Sequence, residues 1–73
     1  MSEQELFLIN SLVSSLITML MERCGMKLSE AMDTFYNSQL YEKIMDKETG
    51  LYIQSAPYNY ELLKHELEFG KIV

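Results

Sequence analysis

The chain has 73 residues, enough for one domain spanning residues 1–73, and eleven Asp and Glu against six Lys and Arg leave it at a formal charge of −5. Its basic residues are scattered from Arg23 to Lys71 among acidic ones, which argues against direct DNA or RNA binding and suits a basic protein partner better. A single cysteine excludes an internal disulfide framework and a Cys-x-x-Cys metal pair, and it points to a reducing compartment, the cytoplasm.

Ser2-Glu3-Gln4-Glu5 reads as a capping box: the Ser2 hydroxyl accepts from the Glu5 N–H while the Glu5 carboxylate reaches back to Ser2. Leu6, Ile9, Val13, Leu16 and Leu20 then recur at spacings of three and four, Cys24 continues the seam, and Gly25 is a natural stop. The pattern predicts a helix from Glu3 to Cys24. Its residues 6–21 hold no charge, and eleven of these sixteen are strongly apolar. Phe7, Leu8, Leu12, Ile17, Met19 and Met21 lie off the seam, and the remaining side carries only Asn10, Ser11, Ser14, Ser15 and Thr18. A helix apolar nearly all round is usually buried, and so short a chain has few elements to bury it. A second copy or a partner protein covering the excess is the simplest resolution. The run is short for a membrane span and is broken by those five polar side chains. Glu3 and Glu5, not basic residues, precede it, so it does not read as a signal peptide either.

Ser29, with Glu30 and Asp33 behind it, reads as the N-cap of a second helix whose apolar side is Met32, Phe35 and Tyr36, with Ala31 allowing close approach. Asn37-Ser38 interrupts, and Ser38 can cap a third helix in which Leu40, Tyr41, Ile44 and Met45 recur at helical spacing. Separate helices and one kinked helix fit this stretch equally. Residues 46–50 form a turn in which Gly50 supplies a positive φ. Residues 51–54, Leu-Tyr-Ile-Gln, alternate like a strand but are too few to stand without a partner, so an extended crossing segment is expected, or pairing across a dimer. Ser55 before Ala56-Pro57 starts a last helix running to Phe69, with Tyr60, Leu63 and Leu67 on one stripe and Leu62 and Phe69 beside it. The expected fold is all-α: three or four helices around the long amino-terminal one, with a short extended segment before the last.

Two constellations bear on chemistry. Glu61, His65 and Glu68 share one helix face and could in principle hold a divalent cation, although Lys64 can pair with either carboxylate and no further His or Cys stands near. A solvated, charge-laced face is the plainer account, and no metal or cofactor is expected. Cys24 as a nucleophile has only His65 as a base and no glycine-rich loop or oxyanion-hole motif, so no catalytic residue is assigned and the chain does not read as an enzyme. Cys24 fits a small buried apolar residue at the end of the seam. Three of the five tyrosines stand within nine residues around Pro57, and with six methionines they suit an interface as well as a core edge.

Residues 37–67, NSQLYEKIMDKETGLYIQSAPYNYELLKHEL, are similar to small bacterial proteins of uncharacterised activity with the pattern NS-x-x-Y-E-x-x-x-D-x-E-T-G-L-Y-x-x-S-x-x-Y-x-Y-E-L-L. The GMKLSEA segment at residues 25–31 resembles an interhelical linker in another set of short helical bacterial proteins. The resemblance implies a small helical accessory or antitoxin-like protein, with its partner encoded nearby beside toxin-like genes.

The function expected is therefore protein–protein interaction, as a homodimer or a subunit of a small complex. Interface candidates are Leu6, Ile9, Val13, Ser14, Leu16, Ile17 and Leu20 on the first helix, with Tyr52, Tyr58 and Tyr60. Alternatives are a small metal- or ligand-binding protein using Glu61, His65 and Glu68, or an acidic helix-turn-helix-like regulator.

Overall fold

The computed structural model describes residues 2–72. Helix α1 (Glu3–Cys24) carries the expected capping box, with Ser2 N–H donating to Glu5 Oε1 at 2.9 Å and Glu5 N–H donating to Ser2 Oγ at 3.1 Å. It ends at Gly25, whose φ of 68° is the left-handed conformation a side chain would resist, and the Gly25 N–H returns to the Leu20 carbonyl. Twenty-two residues at a rise of about 1.5 Å match the 33 Å long dimension of the molecule, so α1 spans it end to end.

Helices α2 (Leu28–Tyr36), α3 (Gln39–Met45) and α4 (Ala56–Phe69) pack around α1, α2 and α4 directly and α3 through its contacts with α2 and α4. The short connection between α1 and α2 makes them an αα-hairpin. Between α3 and α4 lie two 3₁₀ turns, Lys47–Thr49 and Leu51–Ile53. Among the described residues there is no strand. The all-α bundle around a long first helix is as expected.

The core is Ile9, Leu12, Val13, Leu16, Ile17 and Leu20 from α1, closed by Ala31 and Phe35 of α2, Leu40 and Ile44 of α3, Tyr60 and Leu63 of α4, and Ile72. Leu6, at the amino end of the seam, is exposed. Leu67, Phe69 and Met45 are likewise exposed near the ends of their helices. Val73 lies outside the described residues.

Three local expectations are corrected. The N-cap of α2 is Lys27, not Ser29, and no side chain caps it. Lys27 is extended and its carbonyl accepts the Ala31 N–H at 2.9 Å, so the helix has begun before Ser29. Second, residues 51–54 are not an extended segment, because Leu51–Ile53 coil into a 3₁₀ turn and only Gln54 and Ser55 are extended. With no strand to pair with, this stretch satisfies its backbone on α4: Asn59 Nδ2 donates to the carbonyls of Leu51 (3.0 Å) and Ser55 (3.1 Å). Asn59 is fully buried, and among the described residues its Oδ1 has no hydrogen-bond partner. Third, Cys24 is exposed rather than buried, with Sγ 3.4 Å from Tyr60 Oη.

Helices α2 and α3 are separate. Ser38 makes the break, donating its hydroxyl to the Phe35 carbonyl at 2.6 Å and accepting from the Tyr41 N–H at 3.1 Å. A second cap for α3 comes from a distance: Glu66 of α4 accepts the N–H of Gln39 at 2.7 Å and of Leu40 at 3.0 Å.

Candidate functional site

The burial of α1 divides the interface candidates. Ile9, Val13, Leu16, Ile17, Leu20 and Tyr60 are buried within the chain, because α2, α4 and the second 3₁₀ turn cover the inner side of α1. These six are buried in the core of the single chain, so Ile9, Leu16, Leu20 and Tyr60 are not on its surface, while Val13 and Ile17 also line the groove described next. Leu6, Ser14 and Tyr58 are exposed, and Tyr52 is half-buried.

What remains open is the outer side of α1 together with one flank of α2. Asn10, Ser14 and Thr18 recur every four residues on α1, and Leu28, Met32 and Tyr36 recur every four on α2. The two rows line a groove of about 310 Å³ with Val13, Ile17 and Met21, and none of these nine residues is charged. The α2 row is exposed for residues of its size: Leu28 by 54%, Met32 by 40% and Tyr36 by 44%. Phe7, one turn before Asn10 on α1, is 71% exposed. Ordinary exposed helix surface carries Lys and Glu, so an uncharged face this long stands apart from it. Sequence reasoning put Met32 and Tyr36 with Phe35 on one apolar side of the second helix and left Leu28 in the connection. The signal was present, because those three positions form a second stripe beside the buried Ala31 and Phe35.

Tyr36 is fixed from behind. Its ring stands edge-on to Phe35 at 5.5 Å and to Tyr41 at 5.0 Å, and Phe35 meets Tyr41 at 5.4 Å. This aromatic triangle gives one end of the groove a rigid wall.

At the amino end of α1 sits a polar knot. Glu5 Oε2 accepts from Tyr52 Oη at 3.1 Å and lies 3.1 Å from Lys47 Nζ, the one ion pair among the described residues. The Ser2 N–H above all, then Lys47, holds the Glu5 carboxyl down to about 2 from an ordinary 4.5. Burial, and then the Glu5 contact, push the Tyr52 hydroxyl upward. The knot ties both 3₁₀ turns to α1, so Tyr52 is a structural tyrosine.

The metal alternative finds a shallow depression of about 140 Å³ lined by Glu61, Lys64, His65, Glu68 and Phe69. Within it, His65 Nδ1 is already 2.9 Å from the Lys71 carbonyl, and its ring lies 4.6 Å from that of Phe69. Among the described residues no group of three or more His, Cys, Asp or Glu is arranged to hold a metal ion. Cys24 and His65 are not brought into contact either. The thiol meets Tyr60, whose hydroxyl is pushed upward by that contact and by burial and whose ring lies 5.0 Å from the Arg23 guanidinium.

By length and composition α1 could cross a membrane, although here one side of it is the core of a globule. In comparisons with known proteins, no family model, no curated protein and no solved structure matches the chain.

Proposed function

We propose that this chain is a cytoplasmic protein–protein interaction module that self-associates, alone or as a subunit of a small complex. The supporting observation is the uncharged outer face of α1 and α2, with Leu28, Met32, Tyr36 and Phe7 held in solvent beside a row of small polar residues. Leaving such side chains in water gains nothing for the single chain, whereas covering roughly 100 Å² of apolar surface contributes about 2.5 kcal/mol. The role is binding rather than catalysis. The setting that the sequence resemblance suggests is antitoxin-like, with a protein partner encoded nearby.

Native mass spectrometry on tagged protein purified gently from its own host tests the reading. Copies of this chain, or this chain with a second polypeptide in fixed ratio, support an interaction module. A monomer without any partner at tens of micromolar overturns it. Ser14→Lys places a charge in the middle of the face without touching the core, and is expected to leave a folded monomer. An unchanged oligomer would remove Ser14 from the interface.

A further inference from the structure

We propose that the amino end of α1, together with the second 3₁₀ turn, docks a cationic amphipathic helix of another protein. This surface meets the outer face of α1 at Phe7 but lies away from the groove beside α2, and its occupant does not depend on self-association.

Two depressions share Leu8. One, of about 340 Å³, is lined by Glu3, Gln4, Phe7 and Leu8. The other, of about 170 Å³, runs between α1 and the second 3₁₀ turn, with Leu8, Tyr52 and Ile53 in its wall. Apart from Glu3, no residue lining either one is charged. Besides Phe7, Ile53 is 66% exposed and Leu8 43%. The turn that presents Ile53 is tied down on both sides of it in sequence: Tyr52 Oη donates to Glu5, and Asn59 Nδ2 donates to the carbonyls of Leu51 and Ser55. Apolar groups fixed in place before binding lose little freedom on binding.

Charge decides the occupant. Glu3 lines the first depression, Glu5 follows it in the same turn of α1, and Asp46 and Glu48 belong to the 3₁₀ turn that Lys47 ties to Glu5. These four acids against the single base Lys47 account for −3 of the chain's −5. Among the described residues Glu5–Lys47 is the one ion pair, so Glu3, Asp46 and Glu48 have no basic partner. An apolar surface with uncompensated acidic groups beside it fits apolar side chains flanked by Lys or Arg. A second copy docking by the same end brings like charge to like charge, and an anionic lipid surface does the same. Among the described residues there is no strand whose edge an extended peptide could join. A helix satisfies its own backbone and presents anchors at spacings of three and four.

The test titrates the chain, at a dilution where it is monomeric by mass, with a helical leucine–lysine peptide and with its leucine–glutamate counterpart. The lysine peptide is expected to bind saturably, one to one and more weakly as salt rises, with amide shifts centred on residues 7, 8 and 53. The glutamate peptide is expected not to bind. Phe7→Ser and Ile53→Ser are each expected to weaken binding by roughly tenfold. Glu3→Lys combined with Glu48→Lys is expected to weaken it by about as much and to flatten the salt dependence. Phe69→Ser, which removes a similarly exposed ring at the far end of α4, is expected to change nothing. All these side chains are exposed, and circular dichroism checks that each variant stays helical. Equal binding of both peptides, no binding of either, or binding that Phe7→Ser and Ile53→Ser leave unchanged overturns the proposal. Binding to phosphatidylcholine vesicles in place of the peptide overturns it too. Native mass spectrometry of the chain alone reads self-association separately, so either reading can fail without the other.

Discussion

The two sides of α1 share a lack of charge and nothing else. The inner side is Ile9, Leu12, Val13, Leu16, Ile17 and Leu20, all buried against the chain's own helices. The outer side is Phe7, Asn10, Ser11, Ser14 and Thr18, all exposed. An uncharged stretch in a sequence thus has two physical causes that look alike in composition. One is a core that the chain closes itself, and it selects bulky aliphatic side chains that fill volume. The other, on the proposed function, is a surface that a partner closes, where small polar residues tolerate water in the free chain and still allow a backbone to approach. Size and branching separate the two where hydropathy does not.

The largest effect that could break this comparison is at Leu16, the middle of the inner side. Leu16→Asp puts an unpaired carboxylate where the side chain has no exposure, at a cost of about 4 kcal/mol. That equals roughly the 3–5 kcal/mol a core of this size supplies. The variant is expected to lose its helical circular dichroism at 25 °C. If it stays folded with unchanged mass, the inner side is not a core.

Next come the two side chains by which α4 holds distant segments. Asn59→Ala removes the fully buried amide that ties the Leu51 and Ser55 carbonyls to α4 and is expected to cost about 2 kcal/mol in urea unfolding. Faster amide exchange over residues 51–54 would accompany it. Glu66→Ala removes two backbone caps from α3 at a cost of about 1.5 kcal/mol. Glu68→Ala, one turn from nothing it caps, is expected to stay within about 0.5 kcal/mol. Equal effects at Glu66 and Glu68 would show that the α3 cap carries no stability.

These two residues also mark where sequence reading stops. The ends of α1, α3 and α4 were legible because their signals are local: the Ser2–Glu5 box, Ser38, Ser55 before Pro57, and the glycines that close α1 and α4. The conformation of Leu51–Ile53 was not, because four alternating residues look strand-like and the deciding group is an amide on the next helix. Glu66 carried no sequence signal of its own, because its partners stand 26 and 27 residues away. Six interface candidates are buried in the single chain for the same reason: periodicity identifies an apolar side, but only the packing of α2 and α4 says who covers it.

Glu5 offers a smaller, pH-dependent effect at the flank where α1 meets the 3₁₀ turns. Its carboxyl is held down to about 2 in the fold against an ordinary 4.5, so the unfolded chain takes up this proton first as pH falls. The stabilisation is complete above about 4.5 and is lost as the pH drops toward 2. Urea midpoints measured across that window are expected to decline in wild type and to decline less in Glu5→Gln. Parallel declines would mean that the knot of Ser2, Lys47 and Tyr52 does not favour the carboxylate.

The smallest expected effect sharpens the comparison most. Phe7→Ser removes the most exposed aromatic ring of the outer side, which is 71% exposed in the isolated chain. At a concentration low enough to hold the protein monomeric, the change is expected to shift stability by no more than about 0.5 kcal/mol. If the chain self-associates as proposed, the wild type is expected to gain stability by mass action at high concentration, and the variant to gain less. The two melting curves should therefore coincide on dilution and separate as the protein is concentrated. Curves that coincide at every concentration would make the outer side of α1 solvent-facing surface. A gap that persists on dilution would make Phe7 part of the single-chain core, against its place on the outer side.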